Sequence, residues 1–306
     1  MRPLELDRNS ASQWTRTQNC ITVHACNAWE VKNKMNIPFW KMHGASNDFI
    51  LVDDRDRSFP IHDHAWLAKI SSRRTGVGCE GIILIQPSTT SDFRMRFFNP
   101  DGNEVEMCGN GARCVARLAH DIGIASNRMA FDTASGLIHA ETEGDNILIQ
   151  MTEPHSWKFD QPITFGGQVY TRHFVDSGVP HVVIPVDDLE AIDVQAFGAT
   201  VRYHEDYAAH GANANFVQVT GPSSLRVRTY ERGVENETLA CGTGIVACAL
   251  IGGRMGWVDP PIWVTPASGD VIEINYDLTD EGATNVTMRG PTELVFEGIL
   301  TYPSQP

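Results

Sequence analysis

Two stretches of the chain repeat a cysteine together with its surroundings. Residues 94–111 read RMRFFNPDGNEVEMCGNG, and residues 226–244 read RVRTYERGVENETLACGTG. Each opens on an Arg-x-Arg pair, Arg94 and Arg96 in the first, Arg226 and Arg228 in the second. Each sets Asn-Glu five and four residues before the cysteine: Asn103-Glu104 before Cys108, Asn236-Glu237 before Cys241. Each then runs Cys-Gly-x-Gly into an apolar, alanine-bearing stretch, with one residue inserted in the second copy. An internal repeat of this kind predicts two related halves. Halves that face each other would bring two thiols to one carbon from opposite sides. That geometry removes a proton from one face of a carbon and returns one to the other.

The residues after each cysteine suit that chemistry. Gly109 and Gly111, like Gly242 and Gly244, permit a tight strand-to-helix turn and close backbone approach. A helix starting there offers unpaired N–H groups and the positive end of its dipole, which together bind an anion. The same field is expected to lower a cysteine pKa. Asn110 and Thr243 add a polar side chain at the third position of each motif. One cysteine beside a glycine turn is more often a buried packing residue; two within an extended repeat are not. Neither motif is CxxC, and zinc would need more ligands at close spacing, so no metal is expected.

The elements that must position these residues alternate irregularly. The runs at 49–54, 81–86, 93–98, 146–151, 181–186, 215–219, 225–230, 271–276 and 293–298 are short and rich in β-branched or aromatic residues, and read as strands. Asp101-Gly102, Gly144-Asp145 and Gly166-Gly167 are turn signals. Helices are expected near 62–72, 110–121, 188–198 and 243–254. The pattern predicts an α+β protein of curved, mainly antiparallel sheets wrapped around helices, since a doubly wound sheet would need regular strand–helix alternation. Residues 1–34 are polar and aperiodic, and the folded part is expected to begin near Met35. Cys20 and Cys26 lie in that segment at no convincing metal-ligand spacing.

Composition narrows the classes of function. The 306 residues suit two domains or one large one, and 42% hydrophobic residues support a sizeable core. A formal charge of −14 disfavours nucleic acid as a general partner. No apolar run approaches the roughly 20 residues of a membrane helix, and the N-terminus lacks a signal-peptide core. Seven cysteines at no disulfide-framework spacing suit a reducing cytosol, so a cytoplasmic location is expected.

At this point the motifs resemble a family, the diaminopimelate epimerases. KMHGASNDF (41–49), FFNPDGNEVEMCGNGARC (97–114) and YERGVENETLACGTG (230–244) are similar to its signatures, and the likeness runs from about Phe39 to about Gly298. The resemblance implies two pseudo-symmetric halves with the site in the cleft between them. The expected division is 35–153 plus 291–306, against 154–290, with 1–34 outside the core. It implies cofactor-independent interconversion of LL- and meso-2,6-diaminopimelate, with Cys108 and Cys241 as the acid/base pair. By the same likeness His181 and Glu231 support the thiols. Asn47, Asn99, Asn213, Glu231 and Arg232 contact substrate, and Gly109-Asn110 with Gly242-Thr243 hold the reacting carboxylate. A homodimer is implied as well. The physics agrees: Arg232 can grip a distal carboxylate with its planar fork, and asparagines can donate and accept at an amino-acid group.

The chain also departs from the family pattern. Val179 stands where many members have asparagine, Cys79-Glu80 replaces the usual Ala-Asp, Gly81 stands where some have glutamine, and Ala212 stands where threonine is common. These changes leave the acid/base residues alone and bear on distal-end recognition. A racemase of the same fold acting on proline, hydroxyproline or histidine is a second reading; it would keep the cysteines without needing Arg232. A thiol redox or metal-binding protein is a third, and predicts no proton exchange at any Cα. A pyridoxal phosphate enzyme would need a Schiff-base lysine, and none of Lys32, Lys34, Lys41, Lys69 and Lys158 sits in such a setting.

Overall fold

A computed structural model of the chain describes residues 34–208 and 210–303. The expected extension 1–34, with Cys20 and Cys26, lies outside the described residues except for Lys34. Residues Asn36–Leu300 form one compact unit.

The strand pairing runs through the same sequence of steps twice. β1 (Lys34–Gly44) pairs antiparallel with β2 (Asn47–Asp53), and β2 pairs parallel with β3 (Gly81–Gln86). β3 pairs antiparallel with β4 (Phe93–Phe98), which takes the short β5 (Glu104–Val105) antiparallel and β6 (Arg128–Thr133) parallel. β6, β7 (Gly136–Glu143) and β8 (Asn146–Gln150) then follow antiparallel. The second pass repeats this order and these directions with β10 (Gln168–Asp176), β11 (Pro180–Pro185), β12 (Asn213–Gly221), β13 (Ser224–Glu231), β14 (Asn236–Thr238), β15 (Ile262–Thr265), β16 (Ile272–Leu278) and β17 (Ala283–Pro291). The equivalent strands β8 and β17 pair antiparallel, joining the two passes. β9 (His155–Phe165) lies beside β10, and β18 (Glu293–Pro303) lies beside β1.

Helices repeat with the strands. α1 (His64–Ser71) and α3 (Val194–Arg202) span the two parallel crossovers, while α2 (Gly109–Asp121) and α4 (Gly242–Arg254) follow the short hairpin strands. α4 is buried from Gly244 through Gly252, as an all-round apolar sequence requires. It packs against β10, β11, β12, β13, β15 and β16, and α2 packs against β2, β3, β7 and β8. Each long helix is thus the core element of its own pass of strands. The fold is the expected α+β arrangement of two pseudo-symmetric halves.

The differences from the sequence reading are local. The third helix starts at Val194 rather than near 188, because the Asp193 carboxylate accepts from the Ala196 N–H at 3.0 Å and caps it there. Strands such as β9 and β10 are absent from the expectation. β9 carries Pro162 and many polar residues, and β10 turns polar at its exposed start.

Candidate active site

Cys108 and Cys241 occupy the same position in their elements. Each is the extended N-cap residue of a long helix, α2 or α4, and neither helix has a side-chain cap. The first N–H groups of both helices are therefore directed at the cysteine sulfurs and at the space beside them. The two helix starts meet: a Cβ built on Gly242 would lie 3.7 Å from both Gly109 Cα and Asn110 Oδ1. A Cβ on Gly242 would fit there in ordinary contact, whereas one on Gly109 would come within 2.6 Å of Met288 Cε.

A cavity of about 650 Å³ opens at this junction. It is lined by both cysteines and by Asn47, Asn99, Gly109, Asn110, Asn213, Glu231, Arg232, Gly242 and Thr243. Of the residues expected to contact substrate or support the thiols, His181 alone is not among those lining the cavity. Phe49, Phe97, Met107 and Val179 give the cavity its apolar sides, and Glu80 and Asp101 add carboxylates. The turn joining β1 to β2 delivers Asn47. Ala45 and Ser46 both adopt left-handed backbone, φ 55° and 62°, as a two-residue hairpin demands, although neither is glycine.

Burial governs the titration of the site. It pushes both thiols above the ordinary cysteine range, Cys241 far above, and the nearby Glu231 carboxylate raises both further. The Asn110 and Gly111 N–H groups lower Cys108, and Thr243 with the Gly244 N–H lowers Cys241, but by less. The expected fall in cysteine pKa is thus overturned. The helix ends act in the foreseen direction, and desolvation outweighs them. Glu231 is itself raised by burial; its Oε2 accepts from Thr238 Oγ1 at 2.9 Å.

His181 acts at one remove. Its Nε2 lies 2.8 Å from Thr243 Oγ1, and Thr243 Oγ1 lies 3.6 Å from Cys241 Sγ. Burial first, then Arg232, bring its pKa down to about 3, so the ring is neutral at pH 7. Its Nδ1 lies 3.1 Å from the Asn215 amide. Asn213 Oδ1 accepts from the Arg232 N–H at 2.7 Å while Nδ2 donates to Pro180 O at 3.2 Å. Asn213 therefore holds the backbone that carries Arg232. The Arg232 guanidinium donates to His210 O at 3.1 Å and forms no ion pair among the described residues.

The sequence reading missed Thr238 and the apolar walls. Thr238 stands three residues before Cys241 inside the repeat, so its place in the motif was the available signal. Phe49, Phe97 and Met107 sit inside matched motifs but look like core residues. No group of three or more His, Cys, Asp or Glu side chains able to hold a metal occurs among the described residues.

Comparison with known proteins identifies a family and a fold. The family model described as diaminopimelate epimerase matches residues 39–157 and 173–295. A diaminopimelate epimerase of Aquifex aeolicus is 40% identical over 275 residues, covering 86% of this chain and 97% of its own. One from Chlorobaculum tepidum is 38% identical over 265 residues, covering 85% and 100%. Among solved structures, a Bacillus anthracis phenazine biosynthesis protein of the PhzF family superposes with a TM-score of 0.68 at 14% identity, covering 87% of this chain and 99% of its own. A hydroxyproline epimerase from Agrobacterium vitis superposes with a TM-score of 0.66 at 14% identity, covering 88% and 93%. These two likenesses concern the fold.

Proposed function

Since this chain belongs to the diaminopimelate epimerase family, we propose that it interconverts LL- and meso-2,6-diaminopimelate without a cofactor, in the formation of lysine and peptidoglycan precursors. The observation that carries the reading is the pair of cysteines at two facing helix starts in one cavity.

The reacting carboxylate sits against the free N–H groups of α2 and α4, at Gly109-Asn110 and Gly242-Thr243. Negative charge delocalises onto that carboxylate as the Cα proton leaves, and preorganised donors stabilise it there. One cysteine, as thiolate, takes the proton; the other, as thiol, gives one to the opposite face. A thiolate whose pKa is raised by burial is a stronger base for this step. Glu231 meets the adjacent ammonium, and Arg232 grips the distal carboxylate. Asn47 and Asn99 read the distal amino-acid group, and Asn213 positions Arg232. His181 supports Cys241 through Thr243. The two halves are residues 35–153 with 291–306, and 154–290; the repeated pairing order supports that division. The enzyme works as a homodimer in the cytoplasm.

Incubation with LL-diaminopimelate in deuterated water tests the reading. The meso isomer should appear with deuterium at Cα, and Cys108→Ala and Cys241→Ala should each abolish turnover. Retained turnover in either variant would sink the two-base scheme. Exchange of proline in preference to diaminopimelate would move the enzyme to another racemase of the same fold.

A further inference from the structure

The second half carries a chain of polar side chains that the first half does not repeat. Asn215, on β12, is fully buried, and both ends of its amide are engaged. Thr229 Oγ1 donates to Asn215 Oδ1 at 2.9 Å. Asn215 Nδ2 donates to Val182 O at 2.9 Å and lies 3.1 Å from His181 Nδ1. His181 Nε2 lies 2.8 Å from Thr243 Oγ1, which in turn lies 3.6 Å from Cys241 Sγ. Gly244 leaves room for the amide: a Cβ there would lie 2.4 Å from Asn215 Oδ1 and 3.3 Å from His181 Cε1.

The strand registers identify the counterparts. Asn215 pairs with Thr229 as Ile83 pairs with Phe97, and His181 pairs with Asn213 as Phe49 pairs with Gly81. Phe49 thus stands for His181, Ile83 for Asn215 and Phe97 for Thr229. The helix starts agree, since a Cβ on Gly111 would lie 2.8 Å from Ile83 Cδ1 and 3.5 Å from Phe49 Cζ. Three apolar side chains in the first half therefore take the places of three polar ones in the second. Buried polar groups destabilise a fold unless they are paired, so the way these are paired bears on their use.

Donor and acceptor rules fix the direction of each link. A backbone carbonyl only accepts, so the amide nitrogen of Asn215, not its oxygen, faces Val182 O. The same nitrogen faces His181 Nδ1, so Nδ1 accepts. A neutral imidazole has one N–H, and the His181 ring is neutral at pH 7. That proton is therefore on Nε2, which donates to Thr243 Oγ1. The hydrogen of the Thr243 hydroxyl is left for the sulfur.

We infer that Asn215 is a positioning residue: held by Thr229 and Val182, it fixes His181 as the Nε2–H tautomer, so that the Thr243 hydroxyl donates to Cys241 whenever that sulfur is a thiolate. The first half, with Phe49 and Ile83 in the corresponding places, cannot build this chain toward Cys108. The inference rests on the proposed role of Cys241 in the acid/base pair. It adds two residues that do not line the cavity, Asn215 and Thr229, and the direction of the bond that reaches the sulfur.

Nitrogen NMR of protein isotopically labelled at histidine tests the tautomer without using turnover. The His181 signals are those that vanish in His181→Gln. In the wild type at pH 7, Nε2 should carry the proton and Nδ1 should not. Asn215→Asp, which accepts where the amide donated, should bring a proton onto Nδ1, with thermal unfolding showing whether the variant is folded. Alkylation by iodoacetamide at pH 7 reads the last link, with Cys108 of the same molecule as the reference. Thr243→Val removes the hydroxyl at nearly constant shape and should slow Cys241 by about threefold. A rise of one pKa unit costs about tenfold in thiolate, and the more basic sulfur regains about threefold in nucleophilicity. Thr243→Ser keeps the hydroxyl and should match the wild type. A proton on Nδ1 in the wild type overturns the inference. So does an unmoved proton in folded Asn215→Asp, or an unchanged ratio of Cys241 to Cys108 alkylation in Thr243→Val. Failure of the proposed function is separate: it shows as absent Cα deuterium in the wild type, whichever nitrogen of His181 is protonated.

Discussion

At the scale of single residues, Arg232 and His181 carry opposite lessons about charge. Arg232 is the cation of the cavity wall, and nothing carboxylic in the described protein pairs with it. A distal carboxylate deprived of it would be a desolvated anion lacking its partner, a loss of about 2–5 kcal/mol. Arg232→Ala should therefore lower kcat/KM for diaminopimelate by at least about 30-fold, while Val179→Asn, on the same wall, should change it little. Normal turnover by Arg232→Ala would reassign the distal anchor. His181 is kept neutral, its pKa brought down to about 3 by burial and by Arg232. The unfolded chain binds this proton near pH 6.5. Between those two values the unfolded state holds a proton that the folded state refuses, so stability is complete above about pH 6.5 and falls as pH drops through the window. The slope from this one group approaches about 1.4 kcal/mol per pH unit. Urea unfolding at pH 7, 6 and 5 should show a shallower decline for His181→Gln than for wild type; equal slopes would mean that the imidazole protonates in place.

At the scale of elements, glycine placement decides how the site is held. Gly198 lies within α3, and a Cβ there would overlap the Tyr230 side chain on β13. Helix propensity alone says that Gly→Ala gains about 1 kcal/mol. The contact opposes it, and its neighbour is a ring root next to Glu231 rather than the free end of a flexible chain. Gly198→Ala should therefore lower the denaturant midpoint and weaken turnover as Glu231 and Arg232 shift; a raised midpoint would show that α3 can slide. Such contacts explain what was legible in the sequence. The runs at 81–86 and 181–186 hold the apolar cores Ile82–Ile85 and Val182–Val186, so their strands and burial were readable from the chain. α2 and α4 were readable from the Cys-Gly-x-Gly starts. β9, which alternates polar and half-buried residues around Pro162, was not, because its fit depends on pairing with β10. Nor was the direction of the cysteine shifts. A motif shows the helix end beside a thiol but not how much water the fold excludes, and excluded water proved the larger effect.

For the molecule as a whole, the doubled topology leaves β18 as a strand with much to cover. Leu294, Val295, Phe296 and Ile299 are 48%, 50%, 45% and 65% exposed, a concentration of large apolar side chains on one strand. Single exposed apolar residues are ordinary, whereas a contiguous set marks an interface. An exposed apolar strand at a sheet edge also invites pairing with another chain. The occupant that fits the proposed homodimer is a second copy of the same strand, since a two-fold interface presents the same patch from both sides. Charge at its centre would then be buried against its own image. Ile299→Glu, the most exposed of the four, should convert a dimer to a monomer in sedimentation while the unfolding midpoint of the monomer stays close to wild type. The active-site residues on β13, α2 and α4 all come from one chain, so the separated monomer should still exchange deuterium at Cα. A wild type that sediments as a monomer, or an Ile299→Glu variant that remains dimeric, would place the interface elsewhere or remove it.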